Sequence, residues 1–159
     1  MKGSSLPPAY ALHTAHNRDI KKVPFVELHN QRLQGVVSSG SDIERVYVSF
    51  VQAGSLDYSC MTNNNRPCGG LRGSPCNHIH MLVDAALQQY GAQQVAAFLR
   101  LPGDPNQWQS AHAILRQSGQ PIPSMASDIF SRFLEDLHHL MLEVDRRPLH
   151  SMAWFIQAG

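Results

Sequence analysis

Three cysteines and one histidine are the residues of this chain best suited to chemistry. Cys60, Cys68 and Cys76 fall at intervals of eight, no other cysteine occurs, and His78 follows the last of them by two positions. An odd number of thiols in so short a window does not describe a secreted disulfide framework, and scattered structural cysteines rarely collect this way. Clustered thiols in a reducing compartment are usually ligands or redox groups. Three thiolates and one imidazole make a complete donor set for zinc, which takes four ligands tetrahedrally in structural sites. His80 is a rival for the fourth position, although its place two residues further on points it toward Asp84 and Gln88. Cys76 and His78 diverge on an ideal helix, where successive residues are rotated by about 100°. They converge only if Cys76 is still in the turn before the first helical residue, a geometry that Pro75 favours.

The segment that carries two of the thiols, NNNRPCGGLRGSPCN, has Gly, Pro or Asn at nearly every bend. Glycine loses too much entropy and proline lacks a donor, so this run does not form a regular element. Something other than secondary structure must order it. A structural zinc ion supplies about 10–16 kcal/mol in small peptide sites, enough for that purpose. Three thiolates around Zn²⁺ leave a net negative charge. Arg66 and Arg72, with the amides of Gly69, Gly70 and Gly73, are available to neutralise it or to form part of a contact surface.

The elements that position this cluster are legible to different degrees. RLQGVVSS reads as a strand, SGSD as a turn, and IERVYVSFVQ as a second strand with Val46, Val48 and Phe50 on one face. LDYSCM is a short third strand bearing Cys60. After the glycine-rich loop, HIHMLVDAALQQYG places Ile79, Leu82, Val83, Ala86, Leu87 and Tyr90 at helical spacing, with Gly91 as the stop. AQQVAAFLRL is a second helix. Asp104 and Pro105 cap a third that runs through Trp108, Ala111 and Leu115. Ser127 caps a long last helix whose apolar face includes Ile129, Phe130, Phe133, Leu134, Leu137, Leu140, Met141 and Val144. Pro148 ends it, and LHSMAWFIQ reads as a last turn or strand. The first thirty residues, Pro-rich and then mixed in His, Lys and short apolar pieces, read as an extended or irregular arm. The fold class is therefore α+β: a small antiparallel β-sheet with a zinc knuckle, followed by a helical bundle.

The run YSCMTNNNRPCGGLRGSPCNHIHMLVDAAL resembles a SWIM-type zinc finger, in which two cysteine-bearing strands precede a Cys-x-His that begins a helix. Cys76-Asn77-His78-Ile79 matches that Cys-x-His start, and Asp57-Tyr58-Ser59-Cys60 matches the aromatic-then-cysteine strand. The family's first pair is Cys-x-Cys, whereas Thr62 stands two after Cys60 here, so the second ligand becomes Cys68. The resemblance spans about residues 32–90. The residue pattern outside that span adds an arm at 1–30 and a C-terminal helical segment at 102–159 packing on the same core, on either side of a SWIM-like ββα zinc module with its following helix at 31–101. The resemblance implies a zinc-dependent, non-catalytic module that binds a protein partner, or DNA as some members do.

Composition limits the alternatives. Of 159 residues, 43% are hydrophobic and 16% charged, which argues against wholesale disorder. Thirteen Lys and Arg against twelve Asp and Glu give a formal charge of +1, without the broad basic surface of non-specific nucleic-acid binders. Nucleic-acid binding remains the second expectation, through Arg66, Arg72, Lys21, Lys22 and Arg18. A Cys–His nucleophile, Cys76 with His78 or His112, is chemically sufficient, yet no nucleophile motif surrounds any cysteine. A cluster of iron and sulfur would accept the same four ligands. No apolar run is long enough for a membrane span or a secretory signal, so a cytoplasmic location is expected, with no small-molecule substrate indicated.

Overall fold

The computed structural model describes residues 23–38 and 45–145. The expectations that fall on residues 1–22, on the turn at 39–42 and on 146–159, Pro148 and LHSMAWFIQ among them, lie outside the described residues.

Four strands form one antiparallel meander in the order β1 (Phe25–His29), β2 (Arg32–Ser38), β3 (Val46–Gln52) and β4 (Tyr58–Thr62). The registers run Phe25 to Val36, Val36 to Val48 and Val48 to Met61, so one row crosses all four strands. Strand β1 corrects the reading of residues 1–30 as an arm: its last part is an edge strand, and a boundary at 30/31 would cut the β1–β2 hairpin. Its turn holds Asn30 and Gln31 at φ 49° and 61°. Two positive φ values are what a tight two-residue hairpin demands, and Asn supplies them more readily than Gln. Without a glycine there, the turn leaves little trace in the sequence.

Helices follow: α1 (Asn77–Tyr90), α2 (Ala92–Leu99), a single 3₁₀ turn at Pro105–Gln107, α3 (Ala111–Leu115) and α4 (Ala126–Asp145). Gly91, at φ 82°, lets the chain turn from α1 directly into α2. The third helix expected from Asp104 is two pieces. Asp104 caps only the 3₁₀ turn through the Asn106 amide, and Ser110 caps α3 by accepting from the Ala113 amide. Each side-chain cap begins its own short helix, so the segment between them breaks.

Strand β2 is buried along Leu33–Val37 without interruption, because both faces of the sheet are covered. On one face Leu33, Val51 and Tyr58 pack against Ile79, Leu82, Val83 and Ala86 of α1, and Val95, Leu99, Trp108 and Ile114 continue that core outward. Gly35 lies under α1. A Cβ there would collide with the Phe25 carbonyl and stand 2.7 Å from Leu82 Cδ1, so glycine is what allows the helix its approach. On the opposite face Phe25, Val36, Val48, Phe50 and Met61 meet Ala126 and Ile129 of α4, with Phe130 and Phe133 half-buried beside them. The C-terminal helix thus covers a separate core, and does not join the one beneath α1 as the sequence suggests. An alternating strand presents two faces, and with α1 and its successors occupying one, the other remained for α4.

Strand β4 would be an open edge, but the chain covers it twice. The segment after Cys60 folds back, with the Cys68 amide donating to the Cys60 carbonyl and Met61 bridging to Pro67. Further along the edge, the Tyr58 amide donates to the Gln120 carbonyl and the Ile122 amide donates to the Tyr58 carbonyl. No helix among the described residues is long and apolar enough to cross a membrane.

Candidate metal centre

Each donor comes from a different piece of backbone. Cys60 is held in β4, opposite Ser49 of β3. Cys68 is brought to it by the backfolded loop. Cys76 is the residue before α1, with φ −78° and ψ 170°, and its carbonyl accepts from the Ile79 and His80 amides. That extended conformation is what convergence with His78 requires, since it frees the Cys76 side chain from the helical rotation that would separate the two.

His78 Nδ1 lies 3.4 Å from the sulfur of Cys68 and 3.8 Å from those of Cys60 and Cys76. All four donor atoms fall within 4.8 Å of one another, the three cysteines buried and the histidine half-buried. A sulfur and a nitrogen bound tetrahedrally to one zinc ion, at about 2.3 and 2.0 Å, stand about 3.5 Å apart. The cluster therefore has the dimensions of a coordination tetrahedron, and its donor set suits zinc. His80, the rival ligand, turns to the other side of α1, where its ring faces that of His112 at 6.5 Å.

The surroundings lean toward negative charge on sulfur. The Gly70 amide donates to Cys68 Sγ at 3.4 Å. A Cβ on Gly70 would stand 3.0 Å from that of Cys76, so this close wrap needs glycine. Cys76 is drawn well below the ordinary thiol range, first by the hydrogen bond from the Cys60 thiol, then, against its burial, by His78 and the Ile79 and His78 amides. Cys60 is pushed up by that same bond to Cys76 and by burial, and Cys68 chiefly by burial. The cluster as a whole thus gives up one proton readily and the others reluctantly. A divalent cation that recruits all three sulfurs releases those protons, so its affinity weakens toward acid pH.

Arg66 and Arg72 are exposed, and among the described residues neither makes a hydrogen bond or ion pair to the cluster. Sequence reasoning missed Tyr47, whose ring stacks on the His78 imidazole with centroids 3.7 Å apart and planes at 17°. Tyr47 stands opposite Thr62, two residues from Cys60 on the same face, and this fixes the plane in which Nδ1 meets the sulfurs. The alternation of β3 was a usable signal, because the face opposite Val48 and Phe50 is the one that carries the ligands.

No family model matches the chain, no curated protein matches it, and no solved structure does.

Proposed function

We propose that Cys60, Cys68, Cys76 and His78 hold one structural Zn²⁺, and that the protein is a non-catalytic, SWIM-like zinc-binding module that engages a protein partner. The observation that carries this reading is the spacing of His78 Nδ1 from all three sulfurs, matched to a single tetrahedral ion. Four protein donors fill that coordination sphere and leave no place for an activated water or a substrate. The hairpin β3–β4 followed by α1, with Cys-x-His at the helix start, supports the SWIM-like assignment.

The partner reading draws on α4. Leu134, Leu137 and Met141 recur at helical spacing on its exposed side, and Met141 is 68% exposed. Around them Asp128, Glu135 and Asp136 are exposed, and the helix's one arginine, Arg132, is bound to Glu27. An apolar stripe with an acidic border fits a partner segment that is itself amphipathic and basic.

Elemental analysis of the full chain, purified under reducing conditions, tests the first part. About one zinc per chain, lost in Cys76→Ser, is expected. Iron with visible absorption would replace zinc by a cluster, and a folded, metal-free protein would end the proposal. For the second part, a photo-crosslinking residue at position 138, used in the native host, should form adducts with a basic protein segment. Adducts to nucleic acid from a probe at position 66 or 72, with none at 138, would favour the nucleic-acid alternative.

A further inference from the structure

A buried hydroxyl lies beside the ligands. Ser49 is fully buried, and its Oγ makes no hydrogen bond of ordinary geometry among the described residues, although it lies close enough to the Cys60 thiol to act on it. It stands directly opposite Cys60 in the β3–β4 ladder. Its flanking residues settle which face it occupies: Val48 and Phe50 belong to the core under α4, whereas Tyr47 and Val51 pack with Cys60 in the core under α1. Directly opposed residues of an antiparallel pair have Cβ atoms about 4.5–5.5 Å apart, near enough for a hydroxyl and a sulfur to meet after rotation about χ1. An unpaired buried hydroxyl is unfavourable, and a thiolate is the acceptor best placed to relieve it.

Resting on the zinc-centre reading above, we propose that Ser49 is a positioning residue of the metal centre, whose hydroxyl donates a hydrogen bond to the Cys60 thiolate. The bond has two effects. It offsets part of the excess negative charge that three thiolates place on the ion, a task that neither Arg66 nor Arg72 performs for this buried sulfur. It also fixes the direction of Cys60 Sγ, the ligand whose strand offers it no knuckle amide of the kind Gly70 gives Cys68. Ser59 provides the contrast. Its Oγ is buried and unpaired as well, but it lies opposite Phe50, on the face away from the ligands.

The test compares the full-length protein with Ser49→Ala, Ser49→Thr and Ser59→Ala. Zinc affinity is read by competition with a chromophoric chelator at fixed pH, and the cobalt-substituted proteins are read by their sulfur-to-metal charge-transfer absorption. Loss of a ligand's hydrogen-bond partner lowers metal affinity by about 10–100-fold. Ser49→Ala should therefore bind zinc at least ten-fold more weakly and shift the charge-transfer band to lower energy. Ser49→Thr, which keeps the hydroxyl, should retain the wild-type band, and Ser59→Ala should change neither readout. A Ser49→Ala protein with wild-type zinc affinity and an unmoved band would overturn the role of Ser49 and leave the zinc centre standing. A wild-type protein that takes up neither zinc nor cobalt would remove both readings together.

Discussion

The two faces of the sheet are covered by different means. Under α1 the cover is continuous: α1, α2, Trp108 and α3 bury one another in succession, Gly35 lets the helix settle closely, and the Cys₃His cluster closes one end. Over the other face a single helix lies across Phe25, Val36, Val48 and Phe50. It buries Ala126 and Ile129, half-buries Phe130 and Phe133, and leaves Leu134, Leu137, Met141 and Leu142 exposed. It is fastened by Arg132, whose guanidinium grips Glu27 through two hydrogen bonds at 2.5 and 2.9 Å, while Gln34 donates to the same carboxylate at 2.6 Å. The contrast shows how a short chain divides labour. A glycine-rich segment with little core of its own gathers around the Cys₃His cluster, whereas an amphipathic helix is held by an apolar stripe, one ion pair and a capping bond at its start.

Metal removal should separate the faces most sharply. An ion present at a thousand times its dissociation constant stabilises the fold by about 4 kcal/mol. Chelation, or Cys76→Ser, should therefore lower the thermal midpoint by roughly 8–16 °C in a domain of this size. Hydrogen exchange should rise first in residues 63–76 and the first turn of α1, with the β1–β2 hairpin still protected. An unchanged midpoint would break the comparison. Next in size is Ile129→Ala, which empties a buried site under α4 and should cost about 2–4 kcal/mol in urea unfolding. Zinc content should stay at the wild-type level; its loss would mean that the faces are not separate.

Glu27→Gln should cost less, about 1 kcal/mol near neutral pH. Burial pushes the Glu27 carboxyl up, but the bonds from Arg132 and Gln34 outweigh it and hold the group below its ordinary value. A depressed carboxylate stabilises the fold fully above its unfolded-state value and loses that contribution as pH falls through the folded one. The gap between wild type and Glu27→Gln in urea midpoints should accordingly shrink as a pH series descends through the acid range. Smallest of all, Met141→Asp should shift stability by no more than about 0.5 kcal/mol, since the side chain already stands in solvent. A large loss would show that this stripe is covered in the free protein.

Much of this was visible in the residues. The strand around Val48 announced itself by the alternation of Val46, Val48 and Phe50, the strands on either side of it by the turn residues between them, and α1 by its apolar spacing with Gly91 at the end. The convergence of Cys76 with His78 followed from the rotation of a helix and the need for an extended residue before it. What escaped detection depended on partners distant in sequence. Strand β1 is short and follows a proline, and its turn uses Gln31 at a positive φ that its type does not advertise. The choice of face by α4 cannot be derived from its own stripe, because any apolar face would satisfy it. The alternation of β3 puts Tyr47 on the ligand face, but its stacking on His78 depends on the register with β4, which no local pattern specifies.

One bond crosses between these regions. The loop from Cys60 to Cys68 carries Asn65, held at φ 56°, and its Oδ1 accepts from the Ala126 amide at 2.9 Å, the first residue of α4. A side-chain acceptor at a helix start is worth about 1 kcal/mol. The loop that a cation would cinch is therefore also the latch on the far helix, and whatever loosens the sulfurs slackens the hold on α4 at its root.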